Sequence, residues 1–179
     1  MTRVFFTADC HFDHNAIIRF CDRPFENERH MNEELVDRWC RKVGTNDLVY
    51  HLGDFAFKGE SNAKFWETKL TGDIVHIRGN HDKNNGVKTI ITHAIMEYGG
   101  LIIYATHRPP DEFQEGTIEA NLITACDIIL CGHVHGLWKW KKILGKICIN
   151  VGVDVWDYEP VNIASILKLV AKINRGDKC

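Results

Sequence analysis

Short apolar runs rich in β-branched and aromatic residues recur at Val4–Thr7, Leu48–Leu52, Ile74–Arg78, Leu101–Thr106, Ile128–Cys131, Lys146–Val151 and Val161–Leu167, and each predicts a strand. Three intervening stretches space their apolar residues for a helix instead: Asn32–Val43, Ser61–Leu70 and Thr117–Cys126, with Ser61 or Asn62 positioned to cap the second. Early strand–helix–strand alternation predicts parallel strands. Trp138–Val151 reads as a hairpin turning near Leu144 and Gly145, which brings antiparallel pairing toward the end. The expectation is a layered α/β sandwich with mixed sheets. No repeat, low-complexity tract or Pro/Gly/Ser linker divides the chain, so residues 1–179 read as one domain with a loose tail at Asn174–Cys179.

The polar residues that follow these runs carry more information than the runs themselves. Val4–Ala8 leads into Asp9-Cys10-His11, Leu48–Leu52 into Gly53-Asp54, and Ile74–Arg78 into Gly79-Asn80-His81-Asp82. Leu101–Thr106 leads into His107, and Ile128–Cys131 into Gly132-His133-Val134-His135. Ligands of layered α/β folds bind outside the carboxyl ends of strands, so five such endings predict one shared site on one rim. Asp9 and His11, like His133 and His135, stand two apart, and in extended chain such residues share a side. Gly53, Gly79 and Gly132 each precede a polar ending, where a missing Cβ permits close backbone approach. Two carboxylates, one amide and several imidazoles, with no cysteine at ligand spacing, suit Mn²⁺, Fe, Zn²⁺, Ni²⁺ or Co²⁺. The set exceeds what one tetrahedral ion uses, whereas two ions about 3.5–4 Å apart, bridged by a carboxylate, accommodate it.

Composition changes this picture only at its margins. With 45% hydrophobic and 26% charged residues among 179, the chain is ordinary globular material. Its 22 basic and 24 acidic side chains leave a formal charge of −2, so net charge does not indicate a nucleic-acid partner and provides no attraction to anionic membranes. Seven cysteines without a Cys-x-x-Cys pair argue for reduced thiols rather than a disulfide framework. No apolar stretch approaches the roughly 18–20 residues that cross a bilayer, and Met1 runs almost directly into a strand. A cytoplasmic, membrane-free protein is expected, with its oligomeric state left open.

Taken in order, these blocks resemble the calcineurin-like metallophosphoesterase superfamily, whose pattern is Asp-x-His, Gly-Asp, Gly-Asn-His-Asp/Glu, a lone His, and Gly-His-x-His. All five occur here, from Asp9 to His135. The resemblance implies a four-layer α/β/β/α sandwich. It implies that Asp9, His11, Asp54 and His135 hold one metal, and that Asp54, Asn80, His107 and His133 hold the other, with Asp54 as the bridge. His81 would contact the substrate phosphate or protonate its leaving oxygen, which makes His81 and Asp54 the catalytic candidates. The implied activity is hydrolysis of a small phosphodiester by a metal-bridging hydroxide, with two divalent ions, Mn²⁺ first among them. Protein Ser/Thr phosphatases of the superfamily carry Gly-Asp-x-Val-Asp-Arg-Gly, whereas this chain reads Gly53-Asp54-Phe55-Ala56-Phe57-Lys58-Gly59. In size it is similar to the compact bacterial and phage-type phosphodiesterases. A phosphomonoesterase or small nuclease is the alternative within the enzymes. A metal-binding interaction scaffold is the alternative outside them, one that has no need of His81 beside a full ligand set.

Other residues carry two readings each. His14 either lines the cavity or caps the segment beginning near Asn15, and Arg78 and Arg108 either fork onto phosphate oxygens or form surface ion pairs. Trp138-Lys139-Trp140-Lys141-Lys142 reads as a half-buried strand in preference to a stacking strip for single-stranded nucleic acid. Cys10 is expected buried and inert, and Asp154 and Asp157 either shape the rim or occupy a turn. His30, His76 and His93 receive no role. Substrate choice would rest on the loops Asn15–Met31, Asp82–Val87 and Arg108–Gly116.

Overall fold

A computed structural model describes residues 2–57, 59, 62–110 and 118–177. Among them, nine strands form two mixed sheets. The first runs β3 (Asp73–His76), β2 (Leu48–His51), β1 (Val4–Thr7), β9 (Val161–Asn162), with β1, β2 and β3 parallel and β9 antiparallel. The second runs β4 (His93–Tyr98), β5 (Leu101–Thr106), β6 (Ile128–Cys131), β8 (Lys146–Asn150), β7 (Trp140–Ile143), parallel through its centre and antiparallel at both edges. The helices are α1 (Asn15–Phe20), α2 (Glu28–Lys42), α3 (Asn62–Glu67), α4 (Ile118–Ala125) and α5 (Ile163–Arg175).

Period-two alternation builds the layers. Val4, Phe6 and Ala8 point into a core shared with Ile103, Ala105, Leu130 and Ile149 of the second sheet. Phe5 and Val49 point the other way, against Met31, Leu35 and Trp39 of α2. On the far side Tyr104, Ile129 and Cys148 meet Ile123 of α4. Helices α1–α3, two sheets and α4 therefore make the four-layer α/β/β/α sandwich expected from the resemblance, and α5 adds Ile163, Ile166, Val170 and Ile173 to the inter-sheet core.

Local expectations fail in instructive places. Val161–Leu167 is not a strand: only Val161 and Asn162 are extended, and α5 follows. A strand would leave Ile166 on the face opposite Ile163, whereas a helix carries both, with Val170 and Ile173, on one buried stripe. Asn162 Oδ1 accepts from Ala164 N at 2.8 Å to cap that helix, and Gly176 ends it in the left-handed conformation with φ 77°. Asn174 and Arg175 are thus helical rather than a loose tail. α2 begins a turn earlier than Asn32, because Asn27 Oδ1 accepts from His30 N at 3.0 Å. The segment Asn15–Met31 is accordingly not a plain loop, since it holds α1 and the start of α2. Edge strand β4 escaped the apolar pattern because it is nowhere fully buried. The predicted hairpin is present, with Leu144 and Gly145 both at positive φ (50° and 75°), the conformation a two-residue turn requires. Ser61, Thr117 and residues 111–116 of the third loop lie outside the described residues.

Candidate metal centre

The carboxyl ends of β1, β2, β3, β5 and β6 deliver Asp9 and His11, Asp54, Asn80, His107, and His133 and His135, and the chain crosses between these ends by short backbone bonds. Asp9 N donates to Gly53 O at 3.0 Å, His11 N to Asp54 O at 3.1 Å, and Gly132 N to His107 O at 2.9 Å. Asp9, His11, Asp54, His133 and His135 all adopt left-handed φ between 46° and 71°. Such conformations cost on the order of 1–3 kcal/mol each for non-glycine residues and persist only where the surroundings enforce them. The two Asp/His-x-His pairs are therefore not extended chain, as their spacing predicted. Left-handed turns, rather than period two, aim both members inward.

Glycine makes the approach feasible. A Cβ on Gly53, whose φ is 94°, would stand 2.6 Å from both Gly79 N and His107 Nδ1. One on Gly132 would stand 2.5 Å from Ala8 Cβ and 2.7 Å from Asp9 Oδ2, and one on Gly79 would overlap Asp54 Oδ1.

Two donor groups result at these strand ends, and a third, Cys21, His135 and Asp154, shares His135 and includes a cysteine that its spacing did not mark. Ligand atoms of Asp9, His11 and His135 lie within 4.8 Å of one another, as do those of Asp54, His107 and His133. Asp54 Oδ2 stands between the groups, 3.6 Å from His11 Nε2 and 3.5 Å from His107 Nε2. His107 Nδ1 lies 2.7 Å from Leu52 O, which only accepts, so that nitrogen carries hydrogen. Its Nε2 then faces Asn80 Oδ1 at 2.9 Å and Asp54 Oδ2. Lone pairs converge at that point, and they require either a proton or a cation. Without metal the proton prevails: burial opposes it, but Asp54 and Asp9 outweigh burial and push His107 up to about 9. Similarly, burial is outweighed at His135 by Asp154 Oδ2, 3.1 Å from Nδ1, so that His135 is pushed up to about 10.

The other members point to the same need. Burial pushes Asp9 up to about 6 against the pull of His107 and His135, and its Oδ1 is buried without a hydrogen-bond partner. Burial also holds His11 well below its ordinary range, and neither ring nitrogen has a hydrogen-bond partner. Asp54 stays far below the usual carboxylate range, because His107, His11 and the His81 N–H together outweigh its burial. Buried unpaired groups cost about 1–3 kcal/mol each. Mixed carboxylate, amide and imidazole donors with orphaned lone pairs fit divalent transition-metal ions.

This chemistry has counterparts among known proteins. The family model of the calcineurin-like phosphoesterase superfamily domain matches residues 3–167. The chain belongs to this superfamily. An uncharacterized protein of Methanocaldococcus jannaschii is 36% identical over 177 residues, spanning 96% of this chain and 93% of its own. The gene 66 protein of Mycobacterium phage D29 is 33% identical over 206 residues, spanning 98% and 100%. Among solved structures, a protein of unknown function from Aquifex aeolicus superimposes with a TM-score of 0.73 at 25% identity, covering 94% of this chain and 100% of that one.

In this member of the superfamily the remaining candidates sort by position. His81 is exposed, its ring 5.5 Å from that of His11, and its N–H donates to Asp54 Oδ1 at 2.9 Å. His14 does not cap α1 with its side chain. Its ring stacks on Phe57 at 4.2 Å and lies 5.3 Å from His11. Arg78 and Arg108 line one cleft with Asn80 and His107. Cys10 is buried, and burial pushes its thiol up. Trp138 and Trp140 pack inward against different cores, while Lys141 lies over the Trp138 ring at 5.0 Å and Lys139 over Trp156 at 3.7 Å. Asp157 occupies a turn at φ 54°.

Three supporting residues were not assigned from sequence. Asp82 Oδ2 accepts from Asp54 N (2.8 Å) and Gly79 N (2.7 Å), and Oδ1 from Phe55 N (3.1 Å) and Asn85 Nδ2 (2.7 Å). It clamps the backbone of Asp54 and, next in sequence to His81, does not serve that ring. Arg23, buried, donates through Nη2 to Asp9 O at 2.7 Å and through Nη1 to Cys10 O at 3.0 Å, and pairs with Asp154 at 2.8 Å. Arg23, Asp154 and His135 thus form one chain behind the donor groups. Asn150 Nδ2 donates to His135 O (2.7 Å) and Trp138 O (2.9 Å), pinning the loop after the last imidazole. Asp154 stood beside Trp156 as a candidate, but nothing in one sequence marks Arg23 or Asn150.

Proposed function

We propose that this protein hydrolyses phosphodiester bonds with two divalent metal ions, Mn²⁺ first among them, held by Asp9, His11, Asp54 and His135 and by Asp54, Asn80, His107 and His133. One observation carries the reading: two donor groups, several of whose lone pairs are buried and unpaired, meet at the single oxygen Asp54 Oδ2. Bound there, the two cations supply an activated water and neutralise phosphoryl oxygens. Asp54 fixes the spacing between the two groups, and Asp82 fixes Asp54. Asp154 holds His135 in one ring orientation, and Leu52 O does the same for His107. His81 supplies a proton to the leaving oxygen, its backbone anchored to the bridging carboxylate and its ring open to the substrate. Arg78 and Arg108 bind a further anionic oxygen of the substrate, and His14 lines the wall beside His11. The thiols of Cys10, Cys21, Cys40, Cys126 and Cys148 support the reducing, cytoplasmic setting we propose, and none of the helices among the described residues is long and apolar enough to cross a membrane.

The purified protein with Mn²⁺ is expected to hydrolyse bis-p-nitrophenyl phosphate faster than p-nitrophenyl phosphate, and Asp54→Asn to abolish turnover. Hydrolysis that survives Asp54→Asn would overturn the dinuclear reading, and a monoester preference would move the assignment to phosphomonoesterase.

A further inference from the structure

Two clefts of opposite character flank the donor groups. The first, of about 200 Å³, is the cationic one lined by Arg78, Asn80, His107 and Arg108. The second, of about 470 Å³, lies against His133 and His135 and is walled by Phe20, Cys21, Val134 and Leu137. Its two largest apolar side chains are almost wholly in water, Phe20 at 77% and Leu137 at 82% exposure.

Scattered apolar residues on a surface are ordinary. These two are not scattered, since they face one cleft whose floor is two candidate metal ligands. Both stand on fixed backbone. Phe20 ends α1, whose Ile17 and Ile18 anchor the helix in the core. Leu137 N donates to Val134 O at 3.0 Å, inside the loop that Asn150 ties at His135 O and Trp138 O. Among the described residues Asp22 also lines this cleft and no arginine or lysine does, so a second anionic group is favoured on the Arg78–Arg108 side.

We infer that the Phe20–Leu137 cleft receives the organic substituent of the phosphoester, and that this substituent is planar and apolar, an aryl group or a nucleobase. The inference rests on the phosphoesterase reading above and adds a direction to it. With the phosphate at the donor groups, the flat group lies on the Phe20 ring and against Leu137, while any further anionic group extends toward the arginines. A sugar substituent, with no apolar face of its own, would leave Phe20 and Leu137 in water.

Binding tests this without turnover. Zn²⁺-loaded protein is titrated calorimetrically with phenylphosphonate and with methylphosphonate, which share a head group and differ only in the part the cleft would hold. Phenylphosphonate is expected to bind about tenfold more tightly, the scale of one aromatic stacking contact. Phe20→Ala and Leu137→Ser should each shrink that ratio, and together bring it near unity, while the methylphosphonate Kd stays within about twofold. Both positions are exposed, so neither substitution threatens the fold. Equal affinities in the unaltered protein, or a ratio that persists in the double variant, would overturn the cleft assignment and leave hydrolysis untouched. Failure of methylphosphonate itself to bind would overturn the metal-centre reading together with it.

Discussion

Asp82→Asn separates two adjacent residues whose roles the sequence does not distinguish. The Asp82 carboxylate is buried and accepts four hydrogen bonds, two at each oxygen. An amide keeps one accepting oxygen. Turned to serve Asp54 N and Gly79 N, it presents its NH₂ to Phe55 N–H and Asn85 Nδ2, donor against donor. Asn85 cannot flip to compensate without cost, because its Nδ2 also donates to Ala56 O at 2.9 Å and its Oδ1 accepts from Val87 N at 3.0 Å. Two hydrogen bonds to a charged acceptor are thus lost, at about 1.5–3 kcal/mol each, or roughly 3–6 kcal/mol in all. That is a large part of the 5–15 kcal/mol typical of a domain, and at about 2–4 °C per kcal/mol it lowers Tm by about 6–24 °C. Urea unfolding in EDTA isolates the effect from metal binding. His81→Asn, one residue earlier and exposed, should stay within about 0.5 kcal/mol of the unaltered protein while losing kcat toward a substrate with a poor leaving group. An Asp82→Asn protein within about 1 kcal/mol of the original would refute the clamp.

Further expectations follow the same geometry. Mn²⁺ at about 100 times its Kd should raise stability by about 2.7 kcal/mol, and His11→Ala should erase that gain in a thermal-shift assay while perturbing the metal-free protein far less. With His107 pushed up to about 9 and His135 up to about 10 in the metal-free protein, both carry protons at neutral pH. Metal loading should therefore release about two protons, visible as a buffer-dependent enthalpy, and affinity should rise with pH. Because both folded values exceed the ordinary His value near 6.5, their contribution to metal-free stability is complete below that pH and is lost as pH rises through about 9–10, so the metal-free Tm should fall across this window. Gly79→Ala, whose new methyl would overlap Asp54 Oδ1 and its backbone N, should lose metal binding along with stability, as measured by equilibrium dialysis and urea unfolding.

Much of the molecule was legible along the chain, and its limits have definite causes. Short continuous apolar runs located β1, β2, β5, β6 and β8, because strands covered on both faces need such residues regardless of what they pack against. The candidate ligands were legible as a cluster because each follows a strand directly, and a strand end lies at a sheet rim wherever the sheet goes. Val161–Leu167 was misread since a short apolar run fits strand and helix alike. Only the inter-sheet space that accepts Ile166, Val170 and Ile173 on one stripe decides between them. Tertiary structure alone decided which donors stand together. Asp54 Oδ2 reaches both His11 and His107 because Gly53 and Gly79 let the two strand ends touch. It alone recruited Arg23 and Asp82, whose partners lie at backbone atoms that no side-chain pattern records. The chain carries the donors, while their convergence depends on left-handed turns and glycine contacts that exist only once the two sheets have packed.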